Sequence, residues 1–225
     1  MAVPQPIAAV LFDLDGTLID TAPDFVRVLN QLRQARGLTT FAPDRIRQQV
    51  SNGARALVTL AFGAESDNPH FARDLEQLLD AYEQQLAVES RVFPGLEPAL
   101  EILEQRRIPW GIVTNKPSRF TLPLIAGLAL QDRCAVAVCP DQVKQRKPHP
   151  EALFKACDLL QVDPAQTLYV GDHARDIEAG RRAGNYTVAA DWGYLDAGDD
   201  SRLWQADTIM PTPQAFQRWL LDHLH

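Results

Sequence analysis

Two aspartates stand one residue apart at the end of an apolar run near the start of the chain. The run at 7–12 leads directly into the sequence DLDGT at 13–17. A short apolar run bounded by turn residues is typical of a buried strand, whose polar end brings side chains to a surface. A carboxylate at such a position can act as a nucleophile or as a proton donor and acceptor. The pattern therefore predicts chemistry at Asp13 and Asp15.

Further apolar runs of this kind alternate with helical patterns along the rest of the chain. The strand candidates lie at 108–114, 135–139, 167–170, 186–190 and 206–210, and the helical patterns at 96–106, 121–128, 150–160 and 175–183. Alternating strands and helices predict an α/β fold with a Rossmann-like parallel sheet. A short polar loop is expected at 196–201, before the last strand, and an amphipathic helix closes the chain.

The carboxyl ends of parallel strands meet along one edge of a sheet, and ligands collect there. Polar residues that end or follow the predicted strands should therefore converge in one crevice. These candidates are Asp13, Asp15, Thr114, Asn115, Lys147, Asp172 and Asp176.

Several carboxylates in one crevice require a compensating cation or large pKa shifts. Oxygen ligands with few histidines suit Mg²⁺, which would also shield the charge of a phosphoryl group. Lys147 and backbone N–H groups could bind the other phosphoryl oxygens while Asp13 attacks phosphorus. Asp15 could protonate the leaving alcohol and later accept a proton from water. Thr114 and Asn115 are candidates for contacts with the substrate phosphate.

Residues 19–89 show helical patterns and no strand pattern. About 70 residues of helix far exceed an ordinary connection between strands. We therefore expect this segment to form a helical cap, with an α/β core made of residues 1–18 and 90–225.

Four segments of the predicted core resemble, in order, the four motifs of the haloacid dehalogenase superfamily. They are DLDGT at 13–17, VTN at 113–115, KP at 147–148 and GD at 171–172 followed by Asp176. The helical insertion after the first motif resembles the cap of the phosphoglycolate-phosphatase-like branch. This resemblance implies an aspartate nucleophile, an aspartate acid–base residue and Mg²⁺ bound by Asp13, the backbone carbonyl of Asp15 and Asp172. Asp176 is a candidate ligand or a partner of the ligands.

The cap segment at 50–57 is the best candidate for substrate selection. Gly53 lies between two helical patterns, where a glycine lets backbone approach a ligand, and Arg55 could pair with a second anionic group such as a carboxylate. A solvated helix arginine is the alternative for Arg55. The sequences GARA at 53–56, TNKPSRF at 114–120 and CPDQVK at 139–144 resemble the N-acetylmuramic acid 6-phosphate phosphatases of peptidoglycan recycling, and 2-phosphoglycolate is the alternative substrate.

Other interpretations of these residues are possible, and they differ in which of the residues they would need. Asp172 could be only a helix N-cap, and Lys144 competes with Lys147, although only Lys147 precedes a proline as the family motif requires. A haloacid dehalogenase would need neither Asp15 nor Asp172. A sugar phosphomutase would use the same carboxylates, and a non-catalytic binding protein would be expected to lack one of them. No role is assigned to the histidines that flank the motifs.

Composition limits the partners that we expect. The formal charge of -7 and pI of about 5.2 argue against general affinity for nucleic acid or anionic membranes. No apolar run approaches the length of a membrane-spanning helix, and the three cysteines lack metal-ligand spacing. A small phosphomonoester is therefore the expected partner, in a cytoplasmic enzyme.

Overall fold

The computed structural model describes residues 1–63, 68–195 and 198–224, and its centre is a six-stranded parallel sheet. Within the described residues the strands are β1 Ala9–Phe12, β2 Ile19–Asp20, β3 Arg91–Val92, β4 Trp110–Val113, β5 Val136–Val138, β6 Thr167–Gly171, β7 Tyr186–Ala190 and β8 Thr208–Met210. The sheet order is β5-β4-β1-β6-β7-β8, and every neighbouring pair is parallel. The strand that carries Asp13 thus lies between β4 and β6.

Helices flank this sheet and also form the insertion between β2 and β3. Within the described residues they are α1 Ala22–Ala35, α2 Pro43–Arg47, α3 Gly53–Phe62, α4 Phe71–Glu83, α5 Glu97–Gln105, α6 Ser118–Gly127, α7 Glu151–Leu160, α8 Ala174–Ala183 and α9 Pro213–His223. Glycines 63 and 184 end α3 and α8 in the left-handed conformation, which glycine adopts without a Cβ clash. None of these helices is long and apolar enough to cross a membrane.

The predicted α/β architecture is confirmed, and the six strands of the main sheet fall within or beside the predicted runs. All four residues of β1 are buried, as expected for a central strand covered on both faces. The prediction that residues 19–89 contain no strand is wrong at the start of that segment, because Ile19–Asp20 pairs antiparallel with Arg91–Val92. A strand of two residues is too short for a periodic pattern to indicate it. The predicted loop at 196–201 begins with two residues outside the described part.

Apolar packing runs from the sheet into the inserted helices. Phe12 of β1 meets Trp110 and Phe216 edge to face, at centroid distances of 6.5 and 6.0 Å. The same apolar cluster includes Phe25 of α1 and Tyr82 of α4, whose rings stack 3.9 Å apart. The insertion is therefore held against the sheet by buried side chains, on the side where the polar strand ends lie.

Candidate active site

Three buried carboxylates meet beyond the ends of β1 and β6. Asp13 follows β1, Asp172 follows β6, and Asp176 lies in the first turn of α8. Their exposed fractions are 7%, 2% and 0%, and one oxygen of each lies within 4.8 Å of the others. The backbone N–H of Asp13 donates to the carbonyl of Val170 at 2.8 Å, so this bond to β6 fixes the backbone of Asp13.

Burial and nearby negative charges raise the pKa of Asp172 and of Asp176. Burial, followed by the charges of Asp13 and Asp176, raises the pKa of Asp172 to about 8. Hydrogen bonds from Thr17 Oγ1, at 2.9 Å, and Tyr194 N, at 2.8 Å, oppose that shift. Burial also raises the pKa of Asp176, against the opposing charge of Lys147. A cation beside Asp172 and Asp176 would reduce the penalty for keeping these two carboxylates ionised.

The donor set fits a hard divalent cation such as Mg²⁺. Oxygen donors are the ligands that this ion prefers, and Asp13, Asp172 and Asp176 supply them within 4.8 Å of one another. Within the described residues, Asp176 Oδ2 is buried and has no hydrogen-bond partner, which leaves an acceptor ready for a ligand. Three of the metal ligands predicted from the sequence, Asp13, Asp172 and Asp176, therefore have side chains that lie together in the structure.

Glycines form tight walls around this acidic group. A Cβ added at Gly16 would lie 2.1 Å from Asp172 Oδ2, and one at Gly193 would lie 2.2 Å from Asp172 Cβ. A Cβ at Gly171 would lie 2.3 Å from the Cβ of Asp176. Gly16 also has a φ of +88°, which a residue with a Cβ adopts only with strain. Backbone thus approaches the carboxylates more closely than a larger residue would allow.

Lys147 is the cation that contacts this group. Its buried Nζ donates to Asp13 Oδ1 at 2.8 Å and to the Tyr169 hydroxyl at 2.8 Å, and it lies 2.7 Å from Asp176 Oδ1. Burial alone would lower the pKa of Lys147, but the charges of Asp13 and Asp176 outweigh it and raise the pKa. The lysine is therefore charged and stands beside the predicted nucleophile.

Asn115 holds the backbone of Lys147. Its Oδ1 accepts from Lys147 N at 3.1 Å, and its Nδ2 donates to the Lys147 carbonyl at 3.1 Å. The side chain predicted to bind substrate is thus paired at both ends in this structure, although the residue also lines the cavity. Thr114 is buried beside it, and its Oγ1 accepts from Lys116 N at 3.1 Å.

Asp15 lies outside the three-carboxylate group. Its Oδ1 accepts hydrogen bonds from Thr21 Oγ1 at 2.5 Å and from Lys116 Nζ at 2.9 Å. Lys116 was not among the site residues predicted from the sequence. The ordering of lysine before proline, which it shares with Lys147, was the available signal.

A cavity of about 490 Å³ opens in front of these groups. Asp13, Asp15, Thr114, Asn115 and Lys147 line it from the sheet side. The inserted helices contribute a mixed wall that includes the predicted substrate residues. These wall residues are Phe25, Val50, Ser51, Asn52, Gly53, Ala54, Arg55, Leu75, Leu79 and Tyr82. The sequence prediction missed two further lining cations, Arg146 and Arg175.

Arg55 stands at the cavity wall with its guanidinium 4.7 Å from the centroid of the Phe71 ring. No ion pair joins it to a carboxylate in the part of the chain that the structure describes. Gly53 has a φ of +81°, and a Cβ added there would meet nothing within 4 Å. Both of these residues in the insertion are therefore open to a ligand, whereas the residues at the strand ends are packed against one another.

The histidines that flank the motifs and the competing lysine, Lys144, have other surroundings in the structure. His149 Nδ1 accepts from Glu151 N at 3.3 Å, and His173 Nδ1 accepts from Arg175 N at 3.2 Å, where it caps α8. Lys144 is exposed, whereas Lys147 is buried against Asp13. The structure thus favours Lys147 over Lys144 as the lysine of the site.

The parallel sheet, the strand-end carboxylates and the inserted helices define a known class of protein. Residues 10–190 match the haloacid dehalogenase-like hydrolase family, and the chain belongs to that family. It is a phosphatase of the family, as are the relatives that it resembles over nearly its whole length.

Two of these relatives carry different substrate names at nearly equal similarity. The chain is 44% identical to the N-acetylmuramic acid 6-phosphate phosphatase of Pseudomonas aeruginosa, over 92% of each chain. It is 43% identical to a phosphoglycolate phosphatase of Xanthomonas campestris, over 91% of this chain and 92% of the relative.

Solved structures share the fold at lower identity. A predicted phosphoglycolate phosphatase from Haemophilus somnus has a TM-score of 0.81 and 23% identity, with 95% of this chain and 97% of that chain covered. A haloacid dehalogenase-like hydrolase from Streptococcus pneumoniae has a TM-score of 0.79 and 21% identity, with 96% and 100% covered. At these identities the likeness concerns the fold alone.

Proposed function

We propose that this phosphatase is a Mg²⁺-dependent phosphomonoester hydrolase that forms an aspartyl-phosphate intermediate on Asp13. The observation that carries the proposal is the buried group of Asp13, Asp172 and Asp176, with Lys147 Nζ 2.8 Å from Asp13. Three acids beside one lysine suit a site that receives both a cation and the negatively charged oxygens of a phosphoryl group.

The metal would be held by Asp13, the backbone carbonyl of Asp15, Asp172 and Asp176, either with Asp176 as a direct ligand or as a partner of the ligands. When bound, Mg²⁺ would neutralise the carboxylates and polarise the phosphoryl group. The glycines at 16, 171 and 193 support this assignment, because they bring backbone close to two of the carboxylates.

In the first half-reaction a carboxylate oxygen of Asp13 forms a bond to phosphorus as the bond to the leaving oxygen breaks. The Lys147 ammonium and the Thr114 hydroxyl bind phosphoryl oxygens, and Asn115 contributes by fixing the Lys147 backbone. Asp15 donates its proton to the leaving oxygen, so the alcohol departs neutral. The products of this step are the alcohol and the phosphorylated Asp13.

In the second half-reaction water attacks the phosphorus of the phosphorylated Asp13. Asp15, now ionised, accepts a proton from that water as the new bond forms. The P–O bond to Asp13 breaks, inorganic phosphate leaves, and both aspartates return to their starting states. One acid–base residue therefore serves both halves of the cycle.

We further propose that residues 1–18 and 90–225 form the catalytic core and that residues 19–89 form a cap over the leaving group. The division is supported by the β2–β3 pairing at the two ends of the insertion and by the cap residues that line the cavity. The core would perform the step common to all substrates, and the cap would select among leaving groups.

The proposed physiological substrate is N-acetylmuramic acid 6-phosphate, in peptidoglycan recycling. A cavity of about 490 Å³ with Phe25, Leu75, Leu79 and Phe120 in its walls suits a substituted sugar with apolar groups. Arg55 lines this cavity and would pair with the lactyl carboxylate. The relative from Pseudomonas aeruginosa supports this choice by its name.

A second candidate substrate is 2-phosphoglycolate. The Xanthomonas campestris relative, at almost the same identity, favours it, and this molecule also carries a carboxylate that Arg55 could bind. It is much smaller than a substituted sugar, so it would leave most of the cavity unfilled.

A phosphate-release panel tests the proposal directly. Purified protein is assayed with N-acetylmuramic acid 6-phosphate and 2-phosphoglycolate, with Mg²⁺, after chelation, and after Mg²⁺ is restored. The expected result is release from the sugar with the higher kcat/KM, lost on chelation and recovered with the metal. Activity that survives exhaustive chelation would refute the metal assignment. An isomerised sugar phosphate without free phosphate would instead identify a phosphomutase.

A further inference from the structure

Lys116 links the proposed acid–base residue to the inserted helices. It follows β4 in the core, is 9% exposed, and its Nζ lies 2.9 Å from Asp15 Oδ1. The same Nζ donates to the hydroxyl of Tyr82, on α4 of the insertion, at 2.8 Å. One ammonium group thus contacts Asp15 and the cap together.

Two aromatic rings of the cap lie beside this ammonium. Its Nζ lies 5.0 Å from the ring centroid of Phe25 and 4.6 Å from that of Tyr82, and the two rings stack on each other. Burial alone would lower the pKa of Lys116, but Asp15 and Tyr82 outweigh it and raise the pKa. Lys116 is therefore a charged donor whose ammonium contacts Asp15 and Tyr82 at the same time.

The two oxygens of Asp15 have different surroundings. Thr21 Oγ1 and Lys116 Nζ both donate to Oδ1, at 2.5 and 2.9 Å. No donor from the described residues reaches Oδ2, and Asp15 lines the cavity. The hydrogen bonds thus fix one oxygen of Asp15 and leave the other without a donor from the described residues, in a side chain that lines the cavity.

We propose that Lys116 is a positioning residue that holds Asp15 so that Oδ2 exchanges the proton, first with the leaving oxygen and then with water. It does so while Tyr82 and Phe25 are seated against it, so the acid–base step depends on this contact between cap and core. The inference rests on the proposed function, because it assigns Lys116 a part in the same reaction.

A second cation between core and cap provides the matched control. Arg119 lies on α6, and its Nη2 pairs with Asp80 at 2.8 Å and with Glu83, both on the same helix as Tyr82. It makes no contact with Asp15. Arg119→Met therefore removes a bridge to α4 without touching the acid–base residue, whereas Lys116→Met removes both.

The experiment compares kcat/KM for an alkyl phosphomonoester, glycerol 3-phosphate or a sugar 6-phosphate, with that for p-nitrophenyl phosphate. Lys116→Met is expected to lose about ten- to a hundredfold on the alkyl substrate, the size of a charge-assisted hydrogen bond. The loss on the aryl substrate should be several times smaller, because its leaving oxygen needs less protonation. Arg119→Met should affect both substrates equally.

A combination with Asp15→Asn separates positioning from support of the fold. If Lys116 acts through Asp15, adding Lys116→Met to Asp15→Asn produces little further loss on the alkyl substrate. Independent losses that multiply, or equal losses of the single variant on both substrates, would overturn the proposal.

A milder variant keeps the test decisive if Lys116→Met does not fold. Tyr82→Phe retains the stacked ring and removes only the hydroxyl that Lys116 contacts. It should show a smaller loss of the same kind, confined mainly to the alkyl substrate, with circular dichroism and Tm close to wild type. Equal effects on both substrates would count against the proposal.

Failure of this inference can be distinguished from failure of the proposed function. A wild-type protein that released no phosphate from any phosphomonoester with Mg²⁺ would refute the proposed function. If the wild-type enzyme is active but the Lys116 and Tyr82 variants lose kcat/KM equally on the alkyl and aryl substrates, only the positioning role is refuted.

Discussion

Gly16 in the core and Gly53 in the inserted helices share a backbone conformation and differ in everything around it. Their φ angles are +88° and +81°, both in the region that favours glycine. A Cβ at Gly16 would lie 2.1 Å from Asp172 Oδ2, whereas a Cβ at Gly53 would meet nothing within 4 Å. The first glycine is enclosed by the acidic group, and the second borders open cavity.

The contrast extends to the charged residues of each region. In the core, Lys147 is buried and contacts Asp13 and Asp176. At the cap wall, Arg55 is exposed and lies over a single ring. A packed core tolerates little change in geometry, while an open wall can change with the substrate. Substitutions in the two regions should therefore differ in kind as well as in size.

The largest effect is expected at the nucleophile. Asp13→Asn keeps the shape of the side chain but removes the carboxylate, so phosphate release should fall by several orders of magnitude. The matched control is Asp44→Asn, at an exposed acid of α2, which should leave kcat unchanged. Near wild-type turnover of Asp13→Asn in a contamination-free preparation would contradict the mechanism.

Stability of the metal-free protein should depend on pH through Asp172. Its folded-state pKa is raised, by burial first, to about 8 from an ordinary value of 3.8. The folded state then holds a proton that the unfolded state has released, so this contribution is fully present below pH 3.8 and is lost as pH rises through 8. Added Mg²⁺ favours the ionised acids and should reverse the loss.

The measurement is Tm in chelator and in Mg²⁺ at pH 5 and pH 8. The gain from Mg²⁺ should be larger at pH 8, and Asp172→Asn should remove most of the difference between the two pH values. An equal gain at both pH values in the wild type would contradict the placement of a cation at this carboxylate.

The two glycines offer a direct comparison of core and cap. Gly16→Ala adds backbone strain and pushes on Asp172, so the Mg²⁺ concentration for half-maximal activity should rise by tenfold or more, roughly the change seen when groups around a metal site are altered. Gly53→Ala adds strain of about 1–2 kcal/mol and no clash, so metal activation should stay unchanged. Metal titrations of both variants, with Tm as a control for folding, test this. An equal rise in the Mg²⁺ concentration for half-maximal activity in both variants would contradict the difference between core and cap.

At Arg55 the expected effect is on substrate selection. Arg55→Ala should lower kcat/KM for N-acetylmuramic acid 6-phosphate by about ten- to a hundredfold, the range for one charge-assisted hydrogen bond. The loss should be much smaller with N-acetylglucosamine 6-phosphate, which lacks the lactyl acid. Equal losses on both sugars would assign Arg55 to phosphate binding or to cap folding.

Much of the fold could be predicted because its main strands are buried on both faces. Continuous apolar runs at 167–170 and 186–190 indicated β6 and β7 almost to the residue. The strand ends then indicated Asp13 and Asp172, since parallel strands bring their carboxyl ends to one edge. The two-residue strands β2 and β3 were beyond such reasoning, because two residues have no period.

The site residues that were missed depend on contacts between distant segments. Lys116 meets Tyr82 only once α4 has packed against the core, and the two are 34 positions apart. Arg146 and Arg175 approach the cavity from separate loops and helices. No local pattern distinguishes Arg146 and Arg175 from solvated cations, since their surroundings are set by tertiary packing.

The pairing of β2 with β3 has a consequence for how such enzymes diversify. Ile19 lies opposite Val92, so the chain leaves for the insertion and returns from it at adjacent points. The pairing of β2 with β3 already holds the two ends of the insertion together. Lengthening or exchanging the insertion therefore adds little to the entropic cost of closing it. The inserted helices can therefore be lengthened or exchanged while the register of the central strands stays the same.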